Sequence, residues 1–390
     1  MPTAVLDLDL SNLPDIVEPL AAYEQALILI RFKGYPVGQV TLPVINGQLD
    51  CKKIRERMIS AASSNFWKRC LQNYLNCNQD KYSENAPPPV TVAICTRDRP
   101  DDLRRCLENL MKLPDDGQEI LVIDNCPATD ATKQVVSLFP QVKYVLEKKP
   151  GLDVARNRAL YEAKHEIVAF TDDDAAPDPN WLRMLTRNFS DPLVLAVTGL
   201  IMPLELETKA QEWFEIYSPF GKGFERYVFD DTKIHPLATG SVGAGANMAL
   251  RRCVLKDLGG FDECLDAGTP TCSGGDHEYF SRILSKGYRI VYEPGALSWH
   301  RHRRTWDELR KTLRGYGVGV YSWWTRKIFL EKDWRVIRPA IAWLLQSQIP
   351  IFLTSLLRLP GSVPLDLILA ELSGCLVGPI IYLKNRRNCT

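Results

Sequence analysis

The chain has 390 residues, 45% hydrophobic and 24% charged, with a formal net charge of +1. That size and balance exclude a disordered chain and leave room for one large α/β domain with extensions. The near-neutral total excludes a global field that would gather nucleic acid or an acidic polymer.

In chain order, the N-terminal stretch carries several acids and no basic region of the kind that opens a secretory signal. The 11 cysteines form no CxxC pair and match no zinc-finger spacing, so reduced, packed thiols in a cytoplasmic protein are expected. Residues 1–85 read as a small α+β extension. Apolar runs at 26–32 and 36–42 flank Lys33-Gly34-Tyr35 as a hairpin, and a helix follows near 53–75. Ala86-Pro87-Pro88-Pro89 reads as a stiff linker. From Val90 the pattern alternates: strands at 90–95, 119–124, 142–147 and 167–171, and helices at 101–112, 129–139 and 151–163. Asp101 is expected to cap the first of these helices, and Asp178, before Pro179, to cap a later one. Strand–helix alternation implies a parallel sheet with helices on both faces, and ligands collect beyond the carboxyl ends of such strands. Three strands deliver polar residues to that edge: Thr96 and Arg97, then Asp124 and Asn125, then Asp172-Asp173-Asp174. No GxGxxG follows the first strand, which disfavours a dinucleotide-binding oxidoreductase.

The acidic triplet follows directly on the apolar run Glu166-Ile167-Val168-Ala169-Phe170. In an extended segment Asp172 and Asp174 share one face and Asp173 takes the other. Two carboxylates on one face suit a hard divalent cation, and a solvated turn whose aspartates cap local backbone groups is the competing reading. Further on, Gly240-Ser241-Val242-Gly243-Ala244-Gly245-Ala246-Asn247 is a run of small residues that lets a ligand near the backbone. Asp276 falls in the first turn of a helix, where the dipole favours its charged form. His300 and His302 share a face if their stretch is extended, beside Arg301, Arg303 and Arg304. The tail, 305–390, holds apolar stretches at 341–357 and 367–383 that are short or interrupted for spanning a bilayer. They fit either peripheral contact with the inner face of a membrane, with Arg335, Arg338 and Arg358 in the headgroup layer, or packing on protein.

Assembled, these segments resemble the family 2 glycosyltransferases over residues 90–304. The motifs that carry the resemblance are Cys95-Thr96-Arg97-Asp98-Arg99-Pro100, Val122-Ile123-Asp124-Asn125, Pro150-Gly151-Leu152 with Ala155-Arg156-Asn157, Phe170-Thr171-Asp172-Asp173-Asp174, Asn247-Met248, Gly259-Gly260-Phe261-Asp262 and Trp299-His300-Arg301-His302. The resemblance implies a GT-A fold at 86–304, a Rossmann-like mixed sheet flanked by helices. It implies inverting transfer of a sugar from a UDP- or GDP-sugar to an acceptor hydroxyl with Mn²⁺ or Mg²⁺. By it, Thr96, Arg97, Asp124, Arg156, Asp172 and Asp173 bind the donor, Asp174 and His300 hold the metal ahead of His302, and Asp276 is the general base. The family commonly has Glu-Asp where this chain has Gly275-Asp276. That leaves the acceptor open between carbohydrate, lipid and small molecule, with His277 or Glu278 as substitutes for the missing carboxylate. Two other readings remain: a nucleotidyltransferase making sugar nucleotides, although 96–100 lacks the glycine-rich loop, and a sugar- or nucleotide-binding module with a degraded site.

Overall fold

The computed structural model describes residues 2–75 and 88–389, side chains excepted at 387–389. Of the expected linker, Ala86 and Pro87 lie outside the described residues.

The N-terminal elements are β1 (Thr3–Asp9), β2 (Ile16–Val17), β3 (Gln25–Phe32), β4 (Tyr35–Pro43), β5 (Leu49–Asp50), α1 (Cys51–Ala61) and α2 (Ser64–Tyr74). The hairpin stands where the alternation around Lys33-Gly34 placed it, with β3 also pairing parallel to β1. Ile28, Val37 and Met58 from this region share one buried cluster with Val92, Leu107 and Trp181 of the main body. Two polar ties fix the same interface. Arg31 bridges Asp7 and Asp178 at 2.7 Å each, and the Tyr35 hydroxyl donates to Glu293 at 2.6 Å.

The main body continues with β6 (Val90–Thr96), α3 (Pro100–Leu110), β7 (Glu119–Asn125), α4 (Ala131–Val136), β8 (Val142–Glu147), α5 (Leu152–Glu162), β9 (Ile167–Asp172), β10 (Ala175–Pro177) and α6 (Trp181–Thr186). Then come β11 (Val194–Pro203), α7 (Lys209–Tyr217), β12 (Tyr227–Phe229), β13 (Asn247–Arg251), α8 (Val254–Leu258), α9 (Gly275–Ser285) and β14 (Arg289–His300). Among the described residues nine strands form one sheet in the order β10-β14-β11-β13-β9-β6-β7-β8, with β12 on β14. β9, β6, β7 and β8 are parallel, whereas β13 runs antiparallel to both β9 and β11. Near-continuous apolar runs mark strands covered on both faces. Along β6, Val92 and Ile94 face one buried cluster and Ala93 the other. Asn247 locks the mixed half: it accepts from the Trp181 indole at 2.7 Å and donates to the carbonyls of Leu200 and Ala296.

Three local expectations are corrected. Pro100 itself opens α3, with Arg99 at the cap position rather than Asp101. Asp178 is not the cap residue of α6, which starts at Trp181 after Asn180; one of its oxygens accepts the Asn180 N–H at 3.0 Å and the other pairs with Arg31. The expected helix at 129–139 is only α4. The cysteine reading also needs amendment. Cys51, Cys70, Cys95, Cys106, Cys126, Cys253, Cys272 and Cys375 are free, but Cys264 is disulfide-bonded.

The tail consists of α10 (Trp306–Glu331), α11 (Ile337–Trp343), α12 (Ile349–Leu356) and α13 (Leu365–Cys389). A side chain at Gly317 would lie 2.2 Å from the Glu371 carbonyl, so α10 and α13 pack backbone against backbone. Contrary to the sequence expectation, the apolar runs are long enough to span: 334–356 and 365–386 have 23 and 22 residues and mean hydropathy of 1.3 and 1.6. Pro350 does not break the first run, because a π turn at 344–348 absorbs it. Length and composition of this kind are shared with core helices of soluble proteins.

Arg31→Ala leaves Asp178 buried without its cation. The expected cost is about 3–5 kcal/mol of stability by chemical denaturation; a loss below about 1 kcal/mol would contradict the docking described here.

Candidate active site

The strand register decides the site. Cys95 pairs with Asp172 and Thr96 with Asp124, so β9, β6 and β7 end side by side with their polar residues at one edge. Antiparallel pairing of β10 with β14 sets Ala175 opposite His300. That register brings the imidazole back over the triplet. One ligand atom each from Asp172, Asp174 and His300 lies within 4.8 Å of the others. His300 Nε2 is 3.0 Å from Asp174 and 3.7 Å from Asp172.

Alternation along the segment separates the triplet as expected. Asp173 turns inward, accepting from the Thr96 hydroxyl at 2.6 Å and from Arg99 at 3.0 Å. Thr96 and Asp173 therefore face each other beneath the site, and neither borders its cavity. Burial and the adjacent Asp174 push Asp173 up to about 6. For Asp174 burial works in the same direction but loses: His300, Arg99 and Arg303 hold its carboxyl well below the ordinary range. Burial would lower the His300 imidazole, yet Asp174 and Asp172 raise it to about 10. A protonated imidazole between two carboxylates occupies the electrostatic role of a cation. Two oxygen donors and one nitrogen suit Mn²⁺ or Mg²⁺, and a bound ion would have to displace that proton. The residues thus fit a divalent metal.

A cavity of about 820 Å³ opens in front of this group, bordered by Asp172, His300, His302, Arg303, Arg156, Lys222, Asp276 and His277. Asp276 accepts from the backbone N–H groups of Gly245 and His277 at 2.8 Å each. Burial opposes ionisation of this carboxyl, but His277, Arg156 and these N–H groups win and lower its pKa. The small-residue run at 240–247 supplies that Gly245 contact. Arg156 is buried and bridges Asp153 at 2.9 Å and Asp266 at 2.7 Å. Asp124 is fully buried, takes the Tyr144 hydroxyl on one oxygen at 2.8 Å, and has the Thr132 side chain as a second hydrogen-bonding neighbour. Arg97 is exposed, 3.8 Å from Asp98.

The remaining candidates separate cleanly. His302 is held by Glu215 at 3.0 Å, and burial lowers its pKa. Glu278 is taken up by Arg282 and Arg326, at 2.7 and 3.0 Å, and is not among the residues bordering the cavity, so it does not replace the missing carboxylate. His277 does border the cavity, with Nδ1 3.0 Å from the Thr239 hydroxyl. The departure at Gly275 has a steric reason: a side chain there would begin 2.0 Å from Asp153 Oδ2. That oxygen has no hydrogen-bond partner, and burial together with Asp266 pushes the Asp153 carboxyl well up. Sequence reasoning assigned nothing to Asp153, Arg99 or Lys222, and gave Arg303 only a share in a basic patch suited to phosphate oxygens. Arg99 lay inside a quoted motif and Arg303 inside a noted basic patch, but only the fold aims them at Asp174, at 2.9 and 3.4 Å.

The glycosyl transferase family 2 profile matches residues 91–259. The pre-mycofactocin glycosyltransferase of Mycobacterium tuberculosis is 30% identical over 218 residues, which cover 55% of this chain and 43% of that protein. The chain thus spans less than half the length of that relative. The amylovoran biosynthesis glycosyltransferase AmsE of Erwinia amylovora is 32% identical over 241 residues, 58% of this chain and 83% of that protein. Glycosyltransferase AglE of Haloferax volcanii is 26% identical over 272 residues, 67% and 82% respectively. The mannosyltransferase PcManGT from Pyrobaculum calidifontis, solved with GDP-Man and Mn²⁺, superposes with a TM-score of 0.50 at 18% identity. That match covers 79% of this chain and 94% of the other, and establishes the shared fold.

Gly275→Ala should force Asp153 aside and cost about 1–3 kcal/mol, with most of the loss recovered in the Asp153→Ala/Gly275→Ala double variant. Denaturation of the four proteins measures the coupling; strict additivity would contradict the steric account.

Proposed function

The chain belongs to glycosyltransferase family 2, and from that membership we propose that it transfers a sugar from a nucleoside-diphosphate donor to an acceptor hydroxyl with inversion at the anomeric carbon. The observation that carries the proposal is one cavity bordered both by Asp172 and His300, which cluster with Asp174, and by Asp276. Asp172, Asp174 and His300 would hold a divalent ion, with an imidazole beside two carboxylates favouring Mn²⁺ over Mg²⁺. Such an ion, when bound, neutralises negative charge developing on the departing diphosphate.

The chain's own groups do the rest. Asp124, at the end of β7, can accept an N–H from the donor base, with Thr96 and Arg97 at the neighbouring strand end. Arg156, Asp172 and Asp173 complete the donor assignment: Arg156 by its charge at the cavity wall, Asp172 by facing the sugar, and Asp173 by fixing Arg99 and Thr96 beneath it. Arg303 faces the same end and adds positive charge toward the phosphates. Asp276, ionised at neutral pH because its pKa is lowered, takes the proton from the acceptor hydroxyl as that oxygen attacks. One base opposite the leaving group gives a single displacement, and hence inversion. Membership of this family favours transfer over nucleotidyl chemistry and over a degraded binding module.

A second proposal concerns location. Ile341, Leu345 and Leu353 on the tail are 51, 57 and 49% exposed, and Arg335, Arg338 and Arg358 near them are exposed as well. This combination supports peripheral contact with an anionic membrane, at the cytoplasmic face.

Asp276→Asn should leave nucleotide-sugar affinity intact and reduce turnover by ~10²–10⁴-fold, measured by calorimetry and product release. Unchanged turnover would remove Asp276 as the base. Replacing Ile341, Leu345 and Leu353 together by Asp should abolish co-sedimentation with phosphatidylglycerol-containing vesicles; equal sedimentation would refute membrane contact.

A further inference from the structure

Part of the cavity wall is built by the tail. Trp343, Ser347, Gln348, Ile351 and Glu371 border it, together with Tyr316 from α10. The matched family segment ends at residue 259, so none of these positions belongs to it.

Gln348 reaches the cavity because of a backbone irregularity. Pro350 has no N–H, so the carbonyl of Gln346 loses its normal helical partner. The chain answers with a π turn at Leu344–Gln348, in which the Ile349 N–H bonds to Leu344, five residues back. An inserted residue of this kind rotates the following side chains relative to a regular helix, and such turns are frequent at functional sites. Gln348 is 4% exposed, although its neighbours Gln346 and Ile349 are exposed. Its amide nitrogen donates to Glu371 at 3.1 Å and lies 3.4 Å from the Tyr217 hydroxyl. Tyr217 also donates to Glu371. The amide is thereby oriented by two residues from separate elements, and its Oε1 is buried with no hydrogen-bond partner. A buried acceptor without a donor costs about 1–3 kcal/mol, so this arrangement is expensive unless something supplies an O–H or N–H.

We propose that Gln348, fixed by Glu371 and Tyr217, is the acceptor-recognising group of the cavity and takes a hydroxyl of a polyhydroxylated ring lying against Trp343 and Tyr316. The inference rests on the transferase reading above and names the substrate class of the same site. The flat aromatic and apolar wall covers the ring's C–H face, and the convergent polar group fixes its orientation. Because the wall comes from the tail, acceptor choice is carried by the part of the chain outside the family segment.

The test uses full-length protein and methyl pyranosides of glucose, mannose and galactose as probes, followed by saturation-transfer NMR with and without Mn²⁺–UDP or Mn²⁺–GDP. At least one glycoside should bind saturably, and Gln348→Met, which keeps the volume and removes Oε1, should weaken it about tenfold. Nucleotide affinity, measured separately by calorimetry, should not change. Failure of nucleotide binding in the wild type would sink the donor reading and still leave the glycoside titration to decide this one. No glycoside binding, or equal affinity in Gln348→Met, would overturn the proposal. A lowered melting temperature with unchanged glycoside affinity would overturn it too, by making Gln348 only a fastener between tail and body. If Gln348→Met does not fold, Ser347→Phe fills the cavity from a half-buried position and must block the glycoside.

Discussion

Three consecutive carboxylates at the end of β9 set the problem that the surrounding structure solves. Two like charges 4 Å apart repel by about 4 kcal/mol at the effective dielectric of a protein surface. Strand alternation answers part of this by sending Asp173 inward to Thr96 and Arg99. Cations answer the rest: Arg99 and Arg303 approach Asp174, and His300 closes over Asp172 and Asp174. The fold must therefore bring the end of β14 back to the end of β9, and the β10–β14 pairing does so. A site held together by its own cations is one that an added divalent ion can enter by displacing a proton rather than by rearranging the backbone.

The other wall depends on a second balance, in which a buried Arg156 is shared between Asp153 and Asp266. Its charge helps to lower the pKa of Asp276, which borders the same cavity. Asp153 fills the volume that a side chain at 275 would need, so the loss of a carboxylate at that position and the presence of one on α5 are a single packing event. Asp276 is thus kept ionised by its environment, while its neighbour differs from the usual family pattern.

Much of this was legible in the chain. Short apolar runs alternating with helical patterns gave the parallel half of the sheet, and the period-2 rule separated Asp173 from Asp172 and Asp174. The antiparallel insertion of β13 could not be read, because the run before Met248 shows small residues and no pairing partner. Asp178 carried every local mark of a helix cap; it sits just ahead of α6 with the Asn180 N–H on one oxygen, and its other oxygen holds a distant Arg31 that no local pattern could show. Asp153 and Arg99 were invisible as site residues for the same reason, since their roles exist only across elements. The tail misled most. Its proline looked like a break, whereas the helix absorbed it in a π turn and carried Gln348 to the cavity.

The central claim is that Asp172, Asp174 and His300 together receive one divalent ion beside a bound diphosphate. Crystals soaked with Mn²⁺ and UDP or GDP, with diffraction recorded at the manganese edge, test it most directly. One anomalous peak is expected within coordinating distance of all three side chains and of the phosphate oxygens. A peak elsewhere, or nucleotide bound with no peak between these residues, would contradict it.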